Sequence, residues 1–186
     1  ARFCFQDEQN IFIVLDYIGG GVLSIYLLKN KQLSINEARF YAAEIALGIG
    51  HIHKLGYVYR DLKPDNILID TNGHLKISDF GFIRKVDEMS GKTSTFCGTI
   101  EYISPEMFLE KPNYTKDVDW WSYGILVYQM IFGCLPFYAP SQNKTIESII
   151  HDDLVFPCYD KEMPQSTIQF ITDLLQKDPT KRLGFG

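Results

Sequence analysis

Between Asp119 and Phe132 the chain is apolar on nearly every side of a helix. A helix of that kind has no face to offer water, so other elements must pack around it. This requirement points to a helical body with this segment at its centre. The chain has 186 residues, 46% of them hydrophobic, enough for one domain with a real core. Trp120 and Trp121, near the start of the segment, read as core residues rather than as a surface on which a ligand stacks.

The remaining elements follow from local signals. Ile11 to Leu15 is a short run of β-type residues, and Arg2–Phe5 alternates as its hairpin partner across Asp7–Asn10. Gly19-Gly20-Gly21 reads as a flexible break. Ser34-Ile35-Asn36-Glu37 is a capping box that opens a helix, with apolar positions Ala38, Tyr41, Ala42, Ile45, Ile49 and Ile52 at helical spacing and Gly56 as its stop. Ile67–Ile69 and Leu75–Ile77 flank Asp70-Thr71-Asn72-Gly73, a turn of residues that tolerate left-handed backbone. Residues 87–99 are polar and read as a long mobile loop. Thr145–His151 and Ser166–Gln176 are further helices. A few strands followed mostly by helix make an α+β pattern.

Several function classes are disfavoured. The net charge of -5 gives no global basic surface for nucleic acid or an anionic membrane. Cys4, Cys97, Cys134 and Cys158 are scattered without CxxC spacing, which disfavours a zinc site or a disulfide framework and fits a reducing, cytoplasmic or nuclear setting. The four histidines are scattered too, so no metal site is expected among them. No run of 18 apolar residues exists, so no membrane span is expected. The first residues carry neither an initiator Met nor a leader pattern, and the chain reads as one entered in mid-domain.

The chemistry concentrates in Tyr59-Arg60-Asp61-Leu62-Lys63-Pro64-Asp65-Asn66. Asp61 sits on a loop closed by Pro64, where a carboxylate can accept a proton from a substrate hydroxyl. Asn66 can bind a hard cation through its amide oxygen. Lys63, between them, can hold a phosphate as a point charge. Asp79-Phe80-Gly81 follows the second strand of the hairpin, and its carboxylate can bind Mg²⁺. Ser104-Pro105-Glu106 comes later. The blander reading makes these acids helix caps and turn residues.

Taken in order, the three segments resemble the catalytic loop, the DFG motif and the APE motif of eukaryotic protein kinases, with Tyr59 for the commoner His and Ser104 for Ala. Tyr-Arg-Asp, Asp-Phe-Gly-Phe and Thr95-Phe96-Cys97-Gly98-Thr99-Ile100-Glu101-Tyr102 look like the AGC group, above all cyclic-nucleotide-dependent kinases. The Lys63-Pro64-Asp65-Asn66 form is that of Ser/Thr kinases. The resemblance implies a protein kinase-like fold: residues 1–15 from the smaller lobe's sheet, 16–21 as hinge and 22–186 as most of the helical lobe. The glycine-rich loop, the strand lysine and its helix glutamate fall before residue 1 in that family. This chain by itself is therefore expected to bind ATP poorly and turn over negligibly.

The same resemblance implies roles. Asp61 is the catalytic base or orienter, and Lys63 touches the transferring phosphate. Asn66 and Asp79 hold two Mg²⁺ ions. Thr99 bonds near Asp61 and Lys63 and favours Ser/Thr acceptors. Leu15, Asp16, Ile18 and Leu68 surround the adenine of ATP; from the residues alone, 15–21 is equally an ordinary strand end. Thr95 matches an activation-loop phosphosite, with Arg60 and Arg84 as its phosphate-pairing cations. Thr95→Ala in the complete domain is expected to depress activity, and equal turnover would refute that role. Asp119 anchors the catalytic loop, and Glu106 with Arg182 forms a buried ion pair. Asp65 and Glu101 remain as substrate-binding acids, whereas Val22 and Gln129 replace glutamates of basophilic relatives, so a preference for basic residues is expected to be weaker or shifted. The implied partners are protein substrates and a regulatory subunit or an upstream activating kinase. The rival readings are a catalytically incompetent interaction module of the same fold and a small-molecule or lipid phosphotransferase.

Overall fold

The computed structural model describes residues 2–86, 98–109, 114–157 and 163–184. Its centre is α3 (Asp117–Phe132), which begins two residues earlier than the apolar run. Trp121, Ile125, Leu126 and Met130 are fully buried there. The helix ends at Gly133, whose φ of 70° suits a residue without a side chain. α2 (Ile35–Lys54) packs on α3 with all six expected stripe residues buried. Its capping box is formed: Glu37 N–H donates to Ser34 Oγ at 3.3 Å and Ser34 N–H to Glu37 Oε2 at 3.2 Å. α5 (Gln165–Leu174) crosses α3 closely at Gly124, where an added Cβ would stand 2.8 Å from Leu175. α4 is Gln142–His151.

One helix has no counterpart in the sequence reading. α1 (Leu23–Asn30) buries only Leu23 and Leu27, and Val22 at its start supplies no side-chain cap. Two apolar residues four apart are too little to mark a helix.

The strands form three separate antiparallel pairs among the described residues. β1 (Phe3–Gln6) pairs with β2 (Ile11–Val14), with Phe5 opposite Phe12 and their rings stacked at 4.9 Å. The turn between them is built on Asp7, whose carboxylate accepts from the amides of Gln9 and Asn10. β4 (Ile67–Ile69) pairs with β5 (Leu75–Ile77) around the expected turn. β3 (Tyr57–Val58) pairs with β6 (Arg84–Lys85), too short a ladder to leave a periodic signal.

The triple glycine is a correction. It does not act as a loose break: Gly20 N–H donates to Ile69 O at 2.9 Å, and Ile69 N–H donates to Gly21 O at 2.8 Å. A Cβ on Gly20 would fall 2.5 Å from Ile69 O, so the glycine is there for close backbone approach to β4. Val22 then bridges to Leu68. The polar loop expected over 87–99 lies largely outside the described residues, with Thr95 and Cys97 in it; Cys158 lies outside them as well. No described helix is long and apolar enough to cross a membrane.

Candidate active site

The site is mounted on the start of α3. Asp119 is fully buried, and its carboxylate accepts from the backbone N–H groups of Tyr59 and Arg60, each at 2.8 Å. His53 Nε2 reaches the same carboxylate at 2.7 Å. Arg60 has a left-handed φ of 70°, a conformation that a non-glycine residue keeps only where its surroundings fix it. Asp119 does so from the backbone side. The Arg60 guanidinium does so from the other, donating to Phe82 O at 2.8 Å and to the Tyr114 hydroxyl at 3.2 Å.

That bend delivers Asp61, itself buried, to the middle of a polar cluster. Lys63 Nζ lies 3.0 Å from Asp61 Oδ2 and 3.0 Å from Thr99 Oγ1. Pro64 opens a single 3₁₀ turn over 64–66, which carries Asn66 back under the loop. Asn66 Nδ2 donates to Asp61 O at 2.9 Å and to Asp61 Oδ2 at 2.8 Å. Both contacts fall on Oδ2, so Oδ1 is the oxygen left for an incoming group. It faces Gly98, where an added Cβ would stand 3.7 Å from it.

The second carboxylate is tied to the first group through β5. Ser78 N–H and Oγ both donate to Asn66 O, at 2.8 and 3.0 Å. Asp79 follows at once, with a left-handed φ of 55° and an exposed side chain whose Oδ1 accepts from Gly81 N–H at 3.1 Å. Phe80 packs against Tyr59 in a T-shaped arrangement, ring centroids 5.7 Å apart. Burial, then the charges of Asp61 and Asp79, push the Tyr59 hydroxyl well above its ordinary titration range, so both carboxylates bear on one point.

Asn66 and Asp79 offer hard oxygen donors on adjoining segments. That pair fits Mg²⁺, which is ordinarily held by one or two carboxylates together with phosphate oxygens and water rather than by a cage of protein ligands. Among the described residues no cluster of three or more His, Cys, Asp or Glu is placed to hold a metal.

The other expected residues fall around this centre. Asp65 is exposed on the 3₁₀ turn and Glu101 half-buried just after Thr99. Burial, then Asp65, then Glu101 raise the Tyr102 hydroxyl, which donates to Gln129 Oε1 at 2.6 Å. Arg84 lies on β6 opposite Val58, two residues before Arg60. Leu68, on β4, is half-buried beside Val22, while Leu15 is 65% exposed and the Asp16 carboxylate pairs with Arg2 at 2.7 Å. Glu106 and Arg182 form a bidentate buried pair at 2.6 and 2.9 Å. His53, Ser78 and Tyr114 were not singled out from sequence: a lone His, Ser or Tyr has no spacing that marks it, and each acts through bonds to groups distant in sequence.

Residues 2–186 match the family described as the protein kinase domain. Among curated proteins, serine/threonine-protein kinase sgk-1 of Caenorhabditis elegans is 46% identical over 183 residues, covering 98% of this chain and 39% of that protein. The cAMP-dependent protein kinase type 3 of Saccharomyces cerevisiae is 45% identical over 180 residues, covering 97% of this chain and 44% of that protein. Serine/threonine-protein kinase akt-1 of C. elegans is 43% identical over 185 residues, all of this chain and 34% of that protein. The chain thus spans less than half the length of these relatives.

Proposed function

The chain belongs to the protein kinase domain family, and from that premise we propose that it carries the transfer of the ATP γ-phosphate to Ser and Thr hydroxyls of protein substrates. The observation that carries the reading is the bonded cluster of Asp61, Lys63, Asn66 and Thr99, with Asp79 held beside it through Ser78.

Asp61 accepts and orients the substrate hydroxyl through Oδ1, because Lys63 and Asn66 already occupy Oδ2. Gly98, which carries no side chain, stands beside Oδ1. Lys63 stands ready for the transferring phosphate, and Thr99 steadies it. Asn66 and Asp79 would hold Mg²⁺. When bound, Mg²⁺ supplies charge neutralisation at the β- and γ-phosphates, where most catalysis of phosphoryl transfer lies. Leu15, Asp16, Ile18 and Leu68 belong to the adenine side, on the reading of residues 16–21 as a hinge between a small lobe and the helical body. Asp65 and Glu101 supply negative charge for a basic substrate residue. Gln129 contributes none, its amide oxygen being taken by Tyr102, so the demand for basic residues is reduced. Phosphorylated Thr95 would pair with Arg60 and Arg84.

The test is Asp61→Asn in the complete kinase domain that carries these residues, assayed for phosphate transfer to Ser and Thr peptides. A fall of about 10²–10⁴-fold in kcat with ATP affinity kept is expected. Turnover equal to the parent would sink the assignment.

A further inference from the structure

The closed end of the β4–β5 hairpin is held against α2 by one carboxylate. Glu44 Oε2 accepts from the Leu75 N–H at 2.7 Å, and His74 Nδ1 stands 2.5 Å from Glu44 Oε1. One turn further along α2, Gly48 lets the same helix face approach β5: an added Cβ there would fall 2.7 Å from Ile77 Cδ1. Within the turn, the Asp70 carboxylate accepts from the N–H groups of Asn72 and His74, at 2.8 and 3.0 Å. Asp70 N–H donates in return to His74 O at 2.8 Å. His74 is thus fixed by its backbone while its ring reaches across to α2, where the Phe40 ring lies 5.8 Å away.

We propose that Glu44 and His74 form a proton-operated latch: with the imidazole protonated, an ion pair fastens the closed end of the hairpin to α2, and loss of that proton leaves it held by the Leu75 amide bond and packing alone.

The surroundings suit a latch because packing beside it is incomplete. Between α2 and β5 lies a cavity of about 400 Å³, lined by Glu44, Gly48, His51, Leu75, Ile77 and Phe80 among others. Atoms that line a void lose contacts on that side, so the polar bonds at its edge carry more of the attachment. The turn also bears on the glycine run. A Cβ on Gly19 would stand 3.1 Å from Thr71 Cγ2, and Gly20 N–H is bonded to Ile69 O. A looser turn therefore reaches the chain at 19–20.

The sign of the pH effect follows from the charges around the ring. The bond to Glu44, then the Glu44 charge, raise the His74 imidazole above its ordinary range; desolvation opposes them, Asp70 adds to them and Lys76 opposes them. The Tyr41 hydroxyl, near Glu44, is raised chiefly by burial and stays neutral throughout. A raised folded value means that the contribution is complete below the unfolded value and is lost as pH rises through the folded one. The neutral ring has two tautomers, and only one donates from Nδ1, so the charge and part of the bond are lost together.

NMR on the complete kinase domain tests the latch. The His74 ring should titrate at higher pH in the parent than in Glu44→Gln, and equal midpoints overturn the pair. The attachment itself is read from the Leu75 amide, its exchange rate compared with the intrinsic rate at each pH. Passing from well below to well above the His74 midpoint should cut Leu75 protection about threefold, the size expected of an exposed ion pair. The Tyr59 amide, bonded to Asp119, should keep its protection. In His74→Gln, which leaves His51 in place, Leu75 should show no step. Unchanged Leu75 protection in the parent overturns the latch, and so does an equal step in His74→Gln or at the Tyr59 amide. If neither variant folds, the parent still decides: the Leu75 step must share the midpoint of the His74 ring, and a different midpoint refutes the latch.

Discussion

Arg182 has five N–H donors, and each has an acceptor. Nη1 donates to Glu106 Oε1 and Asp117 O, Nη2 to Glu106 Oε2 and Gln176 O, and Nε to Gln176 O. Its guanidinium also lies 5.2 Å over the Trp121 ring. A lysine has three donors around a point and cannot reproduce a planar fork. Arg182→Lys is therefore expected to lower unfolding stability by about 3 kcal/mol, the penalty for a buried carboxylate left poorly paired, and a urea melt measures it. A midpoint unchanged from the parent would contradict the pair's structural role. At this scale the sequence was legible wherever two charges or a motif pointed at each other. Glu106, Arg182 and Asp119 were all expected to be structural. The contact of His53 with Asp119 was not, because nothing in the residues before Tyr59 indicates which face of the helix end meets Asp119.

α2 shows what an element needs in order to be read directly. Its cap, its apolar stripe and its stop are all local, and all three are found in place. α1 and the β3–β6 pair lack such signals: the helix buries two residues, and the ladder joins segments far apart in sequence. The capping box also predicts how α2 responds to pH. The Ser34 hydroxyl, then the Ser34 amide, hold the Glu37 carboxyl below its ordinary range. A depressed folded value means that this stabilisation is present above the unfolded value and is lost as pH falls through the folded one. Ser34→Ala should cost about 1 kcal/mol near neutral pH. The difference between variant and parent should narrow in acid, as pH falls below the ordinary carboxylate range and the Glu37 carboxylate takes up its proton. Denaturant melts near neutral pH and in acid check this, and a gap that widens in acid would contradict it.

Across the whole molecule, order is uneven. The helical body encloses the buried residues, while every side chain of β1 and β2 is exposed, including Phe3, Phe5, Ile11 and Ile13. A two-stranded hairpin with no covering layer is marginal in water. Amide exchange in β1 and β2 should therefore be faster than in the buried part of α3 by several orders of magnitude, approaching the global unfolding limit only in the latter. Comparable protection in both would show that the hairpin is held by something other than its own ladder. The reading of Gly19-Gly20-Gly21 as a loose break failed at this scale. A run of three glycines looks alike whether it is slack or pressed against a neighbour, and only β4 decides between the two.

The anchoring of Tyr59 and Arg60 to Asp119 gives the chain one further property. The loop that carries Asp61, Lys63 and Asn66 hangs from the interior rather than from the surface, so heat cannot dislodge it without first softening the centre of the body. The arrangement of this loop and the native state should therefore disappear together on warming, with no interval in which an intact particle survives with a disarranged loop.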